Sequence, residues 1–305
     1  MTPGLSVVIV SYRSRGPLAR CLESLAACRT ALPLQVVVVD NASGDGTLEW
    51  LAQGWPWVEV VANAENLGFT RGVNQGFARA RADRILMLNP DCEVNAAALV
   101  RLMAALDADP GLAGVAPALL DSDGLVARSC GRFPGLWTLL CDHLGLAQRF
   151  PGSPLFGRYK YGGRVMESLV RVAWASGAAL LVARAAWERL GGLDERIFMY
   201  MEEVDWCRRA AAAGYGVRFV PEARILHVGR QSARHAPGAS YLHNLRSRVY
   251  YFRKHHGPVA ALAVKGVLCA SLALKWCLTA TRRATRPGAT IYRAGFEAVW
   301  SASWR

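Results

Sequence analysis

The chain predicts an α/β protein, a mostly parallel sheet flanked by helices with a helical appendage at its C-terminus, and three observations carry that expectation. Short apolar runs rich in β-branched residues alternate with helical stretches through the first third of the sequence. Two of those runs end in acidic, loop-prone residues: Val36-Val37-Val38-Val39 leads into Asp40-Asn41-Ala42-Ser43, and Ile85-Leu86-Met87-Leu88 into Asn89-Pro90-Asp91. A composition of 52% hydrophobic and 19% charged residues over 305 positions supplies enough apolar material for a large core. Open α/β sheets bind ligands in the crevice outside the carboxyl ends of their strands. Two carboxylates arriving there define a candidate site for a base, a ribose or a metal-bound diphosphate.

The elements follow in order. Residues 6–10 read as a buried strand, and Pro17 suits the first turn of a helix with Leu18, Cys21, Leu22 and Leu25 on one face. The unit then repeats as a strand over 34–39, a helix from Thr47, a strand over 58–61, a helix over about 70–82 and a strand over 85–88. A helix over about 96–106 and a strand near 112–117 extend it. Residues 130–170, rich in glycine, proline and aromatic side chains, predict a long irregular segment of the kind that serves as a binding loop or lid. Regular structure resumes with a strand over 178–183, a helix over 184–190, the Gly191-Gly192 break, and a helix over about 203–213 ended by Gly214. Strands over 217–220 and 224–227 follow. The expected division is a catalytic domain over 1–230 and a basic, aromatic and apolar helical region over 231–305.

That last region is apolar over 259–278 apart from Lys265 and Lys275, and is flanked by Arg253-Lys254-His255-His256 and Arg282-Arg283. A spanning helix wants roughly 20 apolar residues, and the uncharged run is far shorter, so a helix lying in a membrane interface is expected. The alternative is a helix packed on protein. Trp300 and Trp304 suit an interface. The formal charge of +13 implies an anionic partner, either a nucleotide diphosphate or an anionic membrane surface. Nucleic acid is excluded from the expected partners, because the basic residues are spread along the chain without a nucleic-acid-binding signature. Eight cysteines without close pairing read as free thiols in a reducing compartment, and the N-terminus enters a strand without a secretory signal. A cytoplasmic protein, peripheral on the inner face of the cell membrane, is the expectation.

Individual residues sharpen this. Asp40 either accepts from the imide N–H of a pyrimidine base or caps its own turn. The glycines of the 65–76 stretch are not in dinucleotide-fold order, which disfavours a nicotinamide enzyme. Arg71 near a helix N-terminus remains a diphosphate or base contact. Asn89 and Asp91 offer oxygens to Mg²⁺ or Mn²⁺, and His227 could add a nitrogen ligand that tilts the preference to Mn²⁺. Glu202, Glu203 and Asp205 open a helix, where acids are expected from the macrodipole alone. They follow the apolar-aromatic Ile197-Phe198-Met199-Tyr200, a setting in which a desolvated carboxylate becomes a general base.

Taken in this order, Asp40, Asn89-Pro90-Asp91, Glu202-Glu203-Val204-Asp205-Trp206-Cys207 and His227 resemble family 2 of the inverting glycosyltransferases, over about residues 6–257. Within it the chain is most similar to the bacterial rhamnosyltransferase branch, in which Val10-Ser11-Tyr12, Asp40-Asn41-Ala42-Ser43 and Asn66-Leu67-Gly68-Phe69 recur together. The resemblance implies the GT-A nucleotide-diphosphate-sugar transferase fold and a divalent metal. It implies a donor site holding Ser11, Asp40, Asn41, Ser43, Asn66, Gly68, Arg71 and Asn89, with Asp91 and His227 on the metal. Glu203 is the implied general base, where the family usually has Asp, and Asn89 replaces the first Asp of the Asp-X-Asp metal motif. Trp174, Ser176, Gly177 and Glu202 match the acceptor pocket, and Arg246 and Arg248 could hold the phosphate of a lipid-linked acceptor.

The implied activity moves a sugar, such as rhamnose from dTDP-rhamnose, to a glycan or lipid-linked acceptor of the cell envelope. Two other readings stay open: a polyprenyl-phosphate sugar synthase and a catalytically silent nucleotide-binding membrane scaffold.

Overall fold

The structure, a computed structural model, describes residues 3–150, 152–153, 155–157, 159–160, 170–229, 237–281 and 287–302. They divide into two compact units. One comprises 1–133, 160–196 and 202–235, the other 134–159, 197–201 and 236–305.

In the first unit the alternation becomes a sheet. Strands β1 (Leu5–Ser11), β2 (Leu34–Asp40), β3 (Val58–Ala62) and β4 (Arg84–Leu88) are joined by helices α1 (Arg15–Cys28), α2 (Thr47–Gly54) and α3 (Phe69–Arg79). β1 pairs in parallel with β2 and β4, and β2 with β3. Every residue of β1 is buried, as a strand covered on both faces requires. Helix α1 buries Leu18, Cys21, Leu22, Leu25 and Cys28, the face read from the sequence.

Beyond β4 come β5 (Cys92–Glu93), α4 (Ala96–Asp107), β6 (Leu112–Leu120), β7 (Cys130–Gly131), β8 (Val170–Val172), β9 (Trp174–Ala175), β10 (Ala179–Ala183) and β11 (Gly216–His227). The strand order is β3-β2-β1-β4-β10-β6-β11-β5, with β8 also on β11. β10 is antiparallel to both β4 and β6, so the sheet is mixed at its centre. The two strands expected over 217–220 and 224–227 are one: β11 runs through, and its register on β6 shifts between Val220 and Arg224. Pro221, which has no N–H to give the ladder, sits in that irregularity.

Helix α3 lies against β1 and β2 more closely than side chains normally permit. A Cβ on Gly72 would stand 2.8 Å from Val10 Cγ1, and one on Gly76 would stand 2.2 Å from Val8 Cγ1. These glycines of the 65–76 stretch serve packing.

The second unit corrects the expectation of an irregular 130–170. It holds helix α5 (Leu136–His143), whose first turn is closed by Thr138 Oγ1 accepting from Gly135 N at 2.8 Å, and helix α6 (Leu146–Arg149). Residues 161–169 lie outside the described residues. The sequence division at 230/231 left 134–159 and 197–201 with the catalytic part, whereas here both cluster with the C-terminal helices. The reason is packing: α5 lies on a long helix, Pro237–Thr281, broken at Gly257 (φ 85). Its Gly238–Cys277 stretch meets the length and apolarity that a spanning helix needs, which the short uncharged run did not suggest, yet a third of its most apolar window is buried in protein, as in a core helix. The final helix, Pro287–Ser301, packs on it, and buried Lys265 gives its ammonium to Trp300 O at 3.2 Å.

Gly76→Ala is expected to cost about 1–3 kcal/mol, the range for overpacking. Gly54→Ala, with nothing within 4 Å of its Cβ, is expected to leave stability unchanged or raised. Chemical denaturation of the two variants beside the parent checks this.

Candidate active site

Parallel pairing carries Ser11 beside Asp40, and Asp40 beside Ala62, at the carboxyl edge of the sheet. Asp40 is 1% exposed, and its carboxylate accepts from Ser43 N at 3.0 Å and from Ser43 Oγ. Ser43 Oγ in turn accepts from Arg13 N at 2.9 Å. Of the two roles open to Asp40, capping its own turn is therefore realised, and the carboxylate is locked in place while doing so. Ser11 Oγ shares a hydrogen bond of 2.9 Å with Ser14 Oγ.

Asn41 ties this edge to α3. Its Nδ2 donates to Gly68 O at 3.0 Å, and its Oδ1 accepts from Asn63 Nδ2 at 2.8 Å. Asn63 and Gln75 exchange two further amide hydrogen bonds, of 2.8 and 3.0 Å. Asn66 Oδ1 accepts from Gly68 N at 3.0 Å, turning the chain into Gly68 (φ 88) and the start of α3. Asn41 and Asn66 thus spend these groups on the scaffold. Arg71, on the first turn of α3, is half exposed and 3.4 Å from Glu195. Such an exposed pair is worth little and leaves the guanidinium accessible. Asn63 and Gln75 escaped the sequence reading, since two amides 12 residues apart carry no periodic signal.

At the end of β4, Asn89 N donates to Ala178 O at 2.8 Å. The antiparallel pairing of β5 with β11 sets Cys92 opposite His227, and Val228 N donates to Asp91 O at 3.1 Å. Asp91 Oδ1 consequently lies 3.3 Å from His227 Nε2. Cys92 Sγ belongs to the same cluster but is 3.3 Å from Ala178 O, and burial, with Asp91's charge second, pushes its thiol well above the usual range. Asp91 and His227 supply the harder donors of the cluster, one carboxylate oxygen and one imidazole nitrogen, which suit Mn²⁺ or Mg²⁺.

After α7 (Arg184–Leu190), helix α8 (Glu202–Ala212) begins behind two left-handed non-glycine residues, Tyr200 (φ 67) and Met201 (φ 72). Each costs of order 1–3 kcal/mol in strain. The helix is anchored by Arg209, which donates from Nε to Asp205 Oδ2 at 2.9 Å and from its other nitrogens to the carbonyls of Leu190 and Gly192. Glu202 Oε2 and Glu203 Oε2 are both buried with no hydrogen-bond partner among the described residues. Burial raises both carboxyl pKa values; Glu203's charge raises that of Glu202 further, and Glu203 is partly relieved by backbone N–H groups and by Lys160.

Gly177 fits the acids to the sheet: its missing Cβ would be 3.2 Å from Met87 Sδ and 3.7 Å from Glu203 Cβ. Ser176 N donates to Ser129 O at 2.8 Å and Ser176 Oγ accepts from Ala178 N at 3.3 Å. Trp174, matched to the acceptor pocket by the resemblance, is 3% exposed with its indole N–H given to Arg132 O at 2.8 Å.

In the second unit Arg248 donates to Asp142 Oδ2 at 2.9 Å and Asn244 Oδ1 at 2.8 Å, and lies 3.3 Å from His143 Nε2. Burial, with this guanidinium second, holds the His143 pKa down to about 4. Arg248 is thus a partly buried cation already paired within the second unit. Arg246 is exposed.

Two measurements test these arrangements. For the acids, native pKa values above those of the unfolded chain mean stability that is greatest at low pH and is lost as pH climbs toward the raised values. Glu202→Gln should therefore raise the Tm relative to the parent near about pH 8 and leave it nearly unchanged near about pH 4. For the arginines, Arg248→Ala is expected to lose about 1–3 kcal/mol of stability, and Arg246→Ala within about 0.5 kcal/mol of none, by denaturant titration.

Comparison with known proteins agrees with this geometry. Residues 6–141 match the family model described as glycosyl transferase family 2. The chain is 32% identical over 286 residues to the N-acetylglucosaminyl-diphospho-decaprenol L-rhamnosyltransferase of Mycobacterium tuberculosis, covering 90% of this chain and 92% of that one. It is 23% identical to the dTDP-rhamnosyl transferase RfbF of Shigella flexneri, over 85% of this chain and 83% of that one. Among solved structures, the mannosyltransferase PcManGT from Pyrobaculum calidifontis, in complex with GDP-Man and Mn²⁺, superposes with a TM-score of 0.56 at 18% identity, covering 100% of this chain and 88% of that one.

Proposed function

The chain belongs to glycosyltransferase family 2, and from that premise we propose that it transfers L-rhamnose from dTDP-rhamnose to an N-acetylglucosamine-type sugar on a polyprenyl diphosphate, with inversion at the anomeric carbon. The observation that carries the reading is the convergence on the end of β4. The Asp91–His227 pair, 3.3 Å apart, and Glu203, packed on Gly177 beside Met87, meet at the strand whose Asn89 closes onto Ala178. The relatives from Mycobacterium tuberculosis and Shigella flexneri described above, which share most of their length with this chain, are rhamnosyltransferases, which supports the choice of sugar.

In this reading Asp40, oriented by Ser43, offers its remaining lone pairs to the imide N–H of thymine, and Ser11 stands next to it in the ladder. Arg71 and the N–H groups at the start of α3 face the diphosphate. Asp91 and His227 would hold a divalent metal, which when bound neutralises the charge of the departing nucleotide. Glu203 takes the proton from the acceptor hydroxyl as that oxygen attacks the anomeric carbon. Its raised pKa strengthens it as a base, and its partnerless oxygen is a place for a substrate hydroxyl to bind. Glu202, buried next to it in the chain, borders the acceptor side with its carboxyl pKa raised by burial and by Glu203's charge. Ser176 and Gly177 border the acceptor. The reaction takes place at the cytoplasmic face of the cell membrane, where a polyprenyl-linked acceptor resides.

The test is transfer itself: dTDP-rhamnose with a short-chain polyprenyl-diphosphate N-acetylglucosamine, the product's anomeric configuration read by NMR. Glu203→Gln is expected to lower kcat by about 10²–10⁴, with Glu203→Asp retaining more activity than Gln. Asp91→Asn should abolish any dependence of the rate on added Mn²⁺. Full activity in Glu203→Gln would remove this residue as the base, and no transfer from any deoxythymidine diphosphate sugar would overturn the donor.

A further inference from the structure

The long C-terminal helix is apolar on two opposite faces, and only one of them is used inside the protein. Its inward face buries Ala261, Val264, Leu268 and Leu272, and Lys265 with them. A soluble protein then normally carries charges on the outward face. Here every exposed side chain from Pro258 to Cys277 is apolar. Val259, Leu262, Gly266, Ala270, Leu274 and Cys277 recur at helical spacing along that face, with Val259 80%, Leu262 55% and Leu274 49% exposed. The strip runs roughly 27 Å at 1.5 Å per residue. Isolated exposed apolar residues are ordinary, but a continuous strip without one polar side chain marks a surface that something covers.

We infer that this outward strip is a docking surface for an anionic lipid bilayer, with the helix lying in the interface and the inward face still packed on the protein. Three features select lipid. The strip starts at the Gly257 break, directly after the basic run Arg253-Lys254-His255-His256, so positive charge borders the apolar face in the chain. Trp276 and Trp300, 51% and 62% exposed, belong to the same pair of helices, and indoles favour the membrane–water boundary. The chain carries +13, so a second copy on the strip would bring like charges together, whereas anionic headgroups bring the opposite sign. Crossing the bilayer is disfavoured because the inward face, including Lys265 bound to Trp300 O, is already occupied.

This deepens the proposed membrane site of the reaction and rests on it for the choice of membrane, yet it can fail separately. The full-length protein is floated with phosphatidylglycerol–phosphatidylcholine vesicles and with phosphatidylcholine vesicles, beside a Leu262→Asp/Leu274→Asp variant and, as a milder change, Leu262→Ser/Leu274→Ser. Expected is co-flotation with the anionic vesicles, at least about tenfold weaker in either variant, with far-UV circular dichroism and transfer to a water-soluble acceptor analogue unchanged. Undiminished binding by both folded variants would overturn the strip as the docking surface, as would a parent that stays with the aqueous phase. A parent that doubles its mass in light scattering while the variants are monomeric would assign the strip to a second copy instead. Vesicle binding without rhamnosyl transfer would overturn the reaction and leave the surface standing.

Discussion

The approach of helix α3 to the first two strands is the constraint on which the donor edge depends. With Gly72 and Gly76 facing Val10 and Val8, the helix backbone rests on the sheet at a distance that any Cβ would forbid. That closeness lets Asn41 reach across to Gly68 O and places the first turn of α3, with Arg71, over the strand ends. Had ordinary side chains held the helix farther out, Asn41 would face an unpaired carbonyl, and burying a polar group without its partner is costly. The glycine-rich stretch is thus a packing device whose product is a helix N-terminus held close over the strand ends.

The acidic edge of the unit is organised by a different force, desolvation. Two adjacent glutamates open α8, each with a buried oxygen that finds no partner among the described residues. Nothing in folding favours this, since helix-terminal acids gain from the macrodipole only while they stay charged. The strained Tyr200 and Met201 just before them add to the cost. The surrounding structure sustains it through the Arg209 clamp, which satisfies Asp205 and two loop carbonyls and fixes the helix in place. Stability spent in this way on one segment is the usual mark of a site whose unfilled hydrogen bonds belong to a substrate.

The second unit shows how a polar residue that reads as a ligand can instead be structural. Arg248 lies in a basic and aromatic run and would suit a phosphate, yet it is held by Asp142, Asn244 and His143. Asp142 and His143 come from α5, in the segment read as irregular. The error about the segment and the error about the arginine share one cause: short helices that bury only a few residues are weakly periodic, and their partners lie about a hundred residues away.

Much of the catalytic unit was legible in the sequence because its signals are local. Strand-helix alternation, the buried face of α1, the turns after β2 and β4 and the acids opening α8 are all written in neighbouring residues, and so is the order of motifs that carries the family resemblance. What the tertiary structure alone decided depends on long-range pairing. The antiparallel β10 at the sheet's centre, the register that sets His227 beside Asp91, the burial of Cys92 and of Trp174, and the amide network through Asn63 and Gln75 all join distant segments. A sequence specifies which side chains are available at each strand end; only the folded chain, by bringing separate ends into register and withdrawing water from some of them, selects those left free to act.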